Sequence, residues 1–106
     1  HWCANVVTGD DGEGCAVLLR AVTPVAGLDL MRERRGHRPG VADGPAKLCQ
    51  AFAIGPSHDG VDLCGSRTDG VLLLDDGVRP PRRPLVGPRI GISKAVDTPW
   101  RFRVPA

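Results

Sequence analysis

The stretch HWCANVVTGDDGEGCAVLLRAV, residues 1–22, decides the fold class of this chain. Two apolar runs rich in β-branched residues, 1–7 and 15–22, flank the polar, glycine-rich TGDDGEG, a pattern that specifies a β-hairpin with a long loop. Working outward, Pro24 and Gly27 lead into LDLMRERR (28–35). There Leu28 and Met31, with Val25 just before them, share a helical face, and Gly36 is placed to stop the helix. A second helix opens at Gly44, because Pro45 suits a first helical position, where a backbone N–H would be unpaired in any case. Leu48, Cys49, Phe52 and Ala53 are its apolar face. Residues 71–74, 88–93 and WRFRV (100–104) read as strands, whereas DDGVRPPRRP (75–84) is too proline-rich for a sheet interior. The expectation is an α+β fold, a curved and mostly antiparallel sheet flanked by helices, in one truncated domain spanning 1–106.

A chain of 106 residues with 42% hydrophobic content has enough apolar material for a small core. No apolar run approaches the roughly 20 residues of a membrane span, and no basic-then-apolar leader is present, which points to a cytoplasmic protein with no membrane partner. The chain opens at His1, inside an apolar run and without an initiator methionine, so a longer parent is expected. The formal charge of +2 does not by itself specify a polyanion. All 14 basic side chains except Lys47 and Lys94 are arginines, however, with Arg32, Arg34, Arg35 and Arg38 in one cluster and Arg79, Arg82 and Arg83 in another. Arginine's planar fork suits phosphate, and a solvated surface is the competing explanation. Cys3, Cys15, Cys49 and Cys64 show neither C-x-x-C spacing nor a zinc pattern with histidine. Three of them sit in apolar runs, the setting of reduced, buried thiols.

Self-contained catalytic groups are scarce. Ser57, His58 and Asp59 are consecutive, so their side chains do not converge as a triad, and GPSHDG reads as a turn. Cys49 with His58 makes a poor thiol nucleophile, since Cys49 belongs to an apolar helix face. Asp75 and Asp76 precede Gly77 in a solvated turn.

Three assemblies remain: HWCANVV with CAVLLRAVTP, GPAKLCQAFAI with GVDLC, and PRIGI with WRFRV. Their content and order resemble the alkyladenine (3-methyladenine) DNA glycosylases over nearly the whole chain, most specifically at GPAKLCQAFAI (44–54). The resemblance implies hydrolytic removal of alkylated or deaminated purines that are flipped out of double-stranded DNA, by a monomer with no cofactor. Flipping costs a few kcal/mol and is cheapest at damaged pairs. The resemblance also implies roles residue by residue. Asn5 would line the base pocket and crowd out guanine's exocyclic amine, and Leu18 would pack on the flipped base. Arg20 would hydrogen-bond the attacking water, which the Ile90 carbonyl would hold from another side. Lys47 would grip a DNA phosphate.

Taken as residues alone, Leu18 and Ile90 are core material and Lys47 is an exposed helix residue. Arg20 ends an apolar run, where a charge must reach solvent or find a partner. The family's general-base glutamate and its DNA-wedging aromatic both lie upstream of residue 1. Glu13, in the hairpin loop, and Glu33, on a charged helix face, do not substitute, so the chain alone is expected to be inactive. Two rivals stand beside this reading: a non-catalytic nucleic-acid-binding module with arginine-rich phosphate contacts, and a small hydrolase using Cys49 or Ser57.

Overall fold

The computed structural model describes residues 1–65 and 70–105. The chain divides into two compact units, His1–Leu73 and Leu74–Ala106. The first contains strands β1 (Asn5–Thr8) and β2 (Cys15–Leu18), helices α1 (Leu28–Arg34) and α2 (Pro45–Ala51), and a 3-10 turn at Pro56–His58. The second contains β3 (Leu85–Gly87) and β4 (Arg101–Arg103). The fold is therefore α+β. Among the described residues the strands form two separate two-stranded antiparallel ladders, β1–β2 and β3–β4, rather than one sheet.

The hairpin forms where its sequence requires it, with Asn5 opposite Leu18 and Thr8 opposite Cys15. Its strands are shorter than the apolar runs, although a further bond from Leu19 N–H to the Ala4 carbonyl (2.9 Å) extends the pairing by one step. The third strand departs from expectation. Residues 71–74 make a single backbone bond, Leu73 N–H to the Leu63 carbonyl at 2.8 Å, and no ladder, while 88–93 is bends and loop. The strand lies instead at Leu85–Gly87, because Pro88 has no N–H to donate and ends it. WRFRV supplies β4 as expected.

Both helices end in the same device. After α1, Gly36 N–H bonds the Glu33 carbonyl and His37 N–H the Arg32 carbonyl, each at 2.9 Å, with Gly36 in the left-handed region at φ 63°. This is a Schellman turn with glycine where glycine is favoured. After α2 the pattern repeats: Ala53 N–H reaches the Gln50 carbonyl (3.3 Å) and Ile54 N–H the Cys49 carbonyl (2.8 Å). Here an alanine, Ala53, occupies the left-handed position at φ 54°. That conformation costs a residue with a Cβ about 1–2 kcal/mol.

The core is small: Met31, Ala42, Leu48, Cys49 and Ala51. Phe52 and Ala53 are not on the buried face of α2, because the helix ends at Ala51; Phe52 is its C-cap and stays 40% exposed. Val25, expected beside Met31, is 98% exposed ahead of α1. Of the cysteines only Cys49 is buried, while Cys3, Cys15 and Cys64 are exposed, so lying in an apolar run did not ensure burial. Burial, reinforced by the nearby Cys3, raises the pKa of the Cys49 thiol.

What joins α1 to α2 is polar. Arg35, 6% exposed, donates from Nε to the Gly40 carbonyl (3.0 Å), from Nη1 to Gln50 Oε1 (2.6 Å) and from Nη2 to the Pro39 carbonyl (3.3 Å). Arg38 donates to the same Gln50 oxygen at 3.0 Å and to the Arg35 carbonyl at 2.8 Å. Arg34 Nη1 caps the Ala51 carbonyl at the end of α2, at 3.0 Å. The guanidiniums sit at carbonyl-rich helix ends, where the peptide dipoles favour positive charge.

Three outcomes follow for the isolated chain. In urea unfolding, Arg35→Ala should cost about 2–4 kcal/mol, because it strands the Pro39 and Gly40 carbonyls around a vacated site and leaves the Gln50 oxygen to Arg38 alone. Ala53→Gly should instead stabilise by about 0.5–1 kcal/mol, the relief of left-handed strain less the added freedom of the unfolded chain. An aromatic disulfide reagent at neutral pH should titrate Cys3, Cys15 and Cys64 rapidly and Cys49 only after denaturation; rapid reaction of all four would contradict its burial.

Candidate functional site

The principal concavity of the first unit, about 360 Å³, lies where β1 meets the segment following α2. That volume is at the lower end of the range for small-molecule sites. The Schellman turn at Ala53 delivers Ile54 and Gly55 to its wall, and the 3-10 turn adds His58. Trp2, Val6, Leu19 and Val71 make the lining predominantly apolar, and Asn5, His58 and Asp59 supply its polar side chains. His58 Nδ1 accepts the Gly55 N–H at 3.1 Å. A cavity of this kind suits a flat, largely apolar molecule with polar edges. Ser57 Oγ is 3.5 Å from the same Nδ1, which already serves Gly55, and no triad forms.

The five residues singled out from the sequence are distributed unevenly. Asn5 lines the cavity. Leu18 is its direct partner across the ladder, so the two side chains leave the same face of the hairpin, with Cβ atoms about 5 Å apart. Arg20 follows two residues later, past the end of β2, and it is half-buried. Leu18 and Arg20 do not line the cavity; Leu19, of opposite parity, does. Leu18 is also 37% exposed and so is not core.

Lys47 lies in the first turn of α2, paired with Asp43 at 3.2 Å in a partly exposed i,i+4 contact. Such a contact is worth about 0.3–0.5 kcal/mol, weak enough for a phosphate to displace. Ile90 belongs to the second unit, in a bend with its side chain 55% exposed, so the core reading of this residue does not hold. Glu13 and Glu33 are exposed, in the hairpin loop and on α1. Among the described residues, no group of three or more His, Cys, Asp or Glu side chains could hold a metal ion. No helix among them is long and apolar enough to cross a membrane.

Sequence reasoning missed His58 and Trp2 as cavity residues. The signal for His58 was available: a histidine three residues after Gly55 can reach back to the open N–H at the start of a turn, the half of a capping box that a side chain supplies. The first arginine cluster is neither the phosphate patch nor the solvated surface between which the sequence left the choice. Arg34, Arg35 and Arg38 are engaged within the fold, and Arg32 approaches Asp29 at 4.0 Å.

Comparison with known proteins matches these features to one family. The family model described as Methylpurine-DNA glycosylase (MPG) matches residues 1–106. A protein of Burkholderia cenocepacia (strain HI2424), named "Putative 3-methyladenine DNA glycosylase", is 51% identical over 99% of this chain and 52% of its own length. Proteins of the same name are similar in Mycolicibacterium paratuberculosis (42% identity, 99% of this chain, 51% of the relative) and Nitrosospira multiformis (41%, 96% and 51%). The chain thus spans about half the length of the curated relatives it matches. No solved structure matches it. With a match running from the hairpin through both helices to the C-terminal ladder, the chain belongs to the methylpurine-DNA glycosylase family.

Proposed function

We propose that this chain is the C-terminal portion of a monomeric, cytoplasmic base-excision enzyme that hydrolyses the N-glycosidic bond of alkylated or deaminated purines in duplex DNA. The observation that carries the proposal is the register of the hairpin, which pairs Asn5 with Leu18 and leaves Arg20 two residues farther along the chain. The two side chains that family resemblance assigns to the base thus come from one face of one ladder, and the one assigned to the water follows just past its end. Asn5 excludes guanine, Leu18 packs on the flipped base, and Arg20 orients the water that adds to the sugar carbon as the base departs. The Ile90 carbonyl holds that water from the other side, and Lys47 seats a phosphate.

The proton lost by the water requires a base, for which neither Glu13, in the hairpin loop, nor Glu33, on α1, substitutes; lack of a base costs on the order of 10²-fold to 10⁴-fold. Many large apolar side chains are left exposed, Val7 and Val17 on the hairpin and Val86 and Phe102 on the second ladder among them. Such surface calls for cover, and relatives of twice the length have the polypeptide to provide it. The fold proposed for the longer protein is a curved, mostly antiparallel sheet flanked by helices.

The test is a chimera joining the upstream half of the Burkholderia cenocepacia relative to residues 1–106, assayed for release of 3-methyladenine and hypoxanthine from duplex DNA. Release is expected, at least 10²-fold faster than from the 106-residue chain alone. Arg20→Ala in the chimera should slow it by about 10²-fold, as loss of a single stabilising donor does, and Asn5→Ala should raise excision of undamaged guanine relative to the wild-type chimera. A folded chimera that releases neither base would refute the assignment.

A further inference from the structure

The two arginine clusters of this chain meet opposite fates, and the second is left free. Residues 74–106 carry six arginines and Lys94 against Asp75, Asp76 and Asp97, a net charge of +4 in a chain whose total is +2. Among the described residues both ion pairs fall in the first unit, so these cations are unmatched by carboxylates. Asp75 and Asp76 are themselves occupied by backbone, accepting from Gly77 N–H and Val78 N–H at 2.9 Å.

The ribbon β3–β4 gathers the cations. Leu85 is opposite Arg103, so Arg82 and Arg83, two to three residues before Leu85, fall at the same end as Arg103. Arg101 and Arg103 leave one face of β4, with Phe102 on the other, and their spacing along the strand is about 6.7 Å. At the opposite end, where Gly87 faces Arg101, the chain turns into a notch of about 320 Å³ lined by Arg89, Gly91, Ile92, Ser93 and Lys94. There the Arg89 guanidinium lies 5.4 Å from the centre of the Trp100 ring and donates to the Lys94 carbonyl at 3.3 Å, while its Nε has no partner. Stacking fixes the guanidinium without neutralising it.

We infer that this ribbon is a phosphate-tracking surface for duplex DNA, with Arg82, Arg83, Arg101 and Arg103 along it and the Arg89–Lys94 notch as a seat at its end. The chemistry is that of guanidiniums without carboxylate partners among the described residues, two of them at strand spacing, facing a polyanion with one charge per about 3.4 Å along each strand. Such contacts place the duplex and read no sequence. The inference rests on DNA being the ligand of the proposed enzyme and adds where a second grip on it lies.

Binding of the 106-residue chain to an undamaged fluorescein-labelled duplex, followed by anisotropy from about 50 to 200 mM KCl, tests it. Arg101→Gln/Arg103→Gln and Arg82→Gln/Arg83→Gln should each lower the slope of log affinity against log salt by about 1.8, or about 0.9 for each phosphate that is no longer neutralised. Arg101→Lys/Arg103→Lys should keep the wild-type slope, which separates loss of charge from loss of fold, and Arg32→Gln in the first unit should leave it unchanged. If the wild-type chain binds and both glutamine variants keep its slope, the surface assignment is wrong while the DNA reading survives. If the wild-type chain shows no salt-dependent binding at all, the reading of DNA as ligand fails and the surface with it.

Discussion

One guanidinium organises the first unit. Arg35 is buried with no carboxylate among its partners, and its charge is solvated by the Pro39 and Gly40 carbonyls and the Gln50 amide oxygen. A lone buried charge is costly, and here the cost is offset because every acceptor is held in place by the backbone or by a helix end. Gln50 uses both lone pairs of its amide oxygen, one on Arg35 and one on Arg38. The two helices are thereby held end to end, with Met31, Ala42, Leu48, Cys49 and Ala51 as the buried apolar side chains among the described residues.

The position of the cavity depends on that junction. With α2 held at its C-terminus, the Schellman turn places Ile54 and Gly55 beside β1, and the left-handed Ala53 holds a conformation that a glycine would adopt with less strain. Strain of this kind persists where surrounding structure over-determines it. It lies here one residue from the wall of a site. The hairpin presents two faces to its surroundings. Val6 and Leu19 belong to one and line the cavity, while Asn5, which shares the other with Leu18, lines it as well from the edge of β1.

The arginines show how one residue type serves two ends. Near helix termini, carbonyls outnumber other partners and a guanidinium becomes a structural clamp. On the proline-punctuated second unit, where carboxylates are few and two of them are engaged in turns, the same side chain remains available to an outside anion. Composition cannot separate these cases, since both clusters read alike along the chain.

The hairpin, both helices, the start of α2 and the end of α1 were legible from the residues, because a glycine-rich loop between β-branched runs, a proline at a first helical position and a glycine past a helix are local signals acting over a few residues. The last ladder was half legible: WRFRV was read correctly, but its partner was misplaced since 88–93 looks as strand-like as 85–87 until Pro88 is seen to end the pairing. Within the site, Asn5 was singled out through the family resemblance, whereas His58 and Trp2 were not, because nothing local says which loop will border β1. The clamp at Arg35 was invisible for the same reason: its bond to Gln50 spans 15 positions, and that of Arg34 to Ala51 spans 17. Short-range preferences therefore determined which segments are helix or strand, while burial, the fate of each arginine and the place of the cavity were decided only in three dimensions, where groups distant in sequence compete for the same acceptors and the same scarce interior.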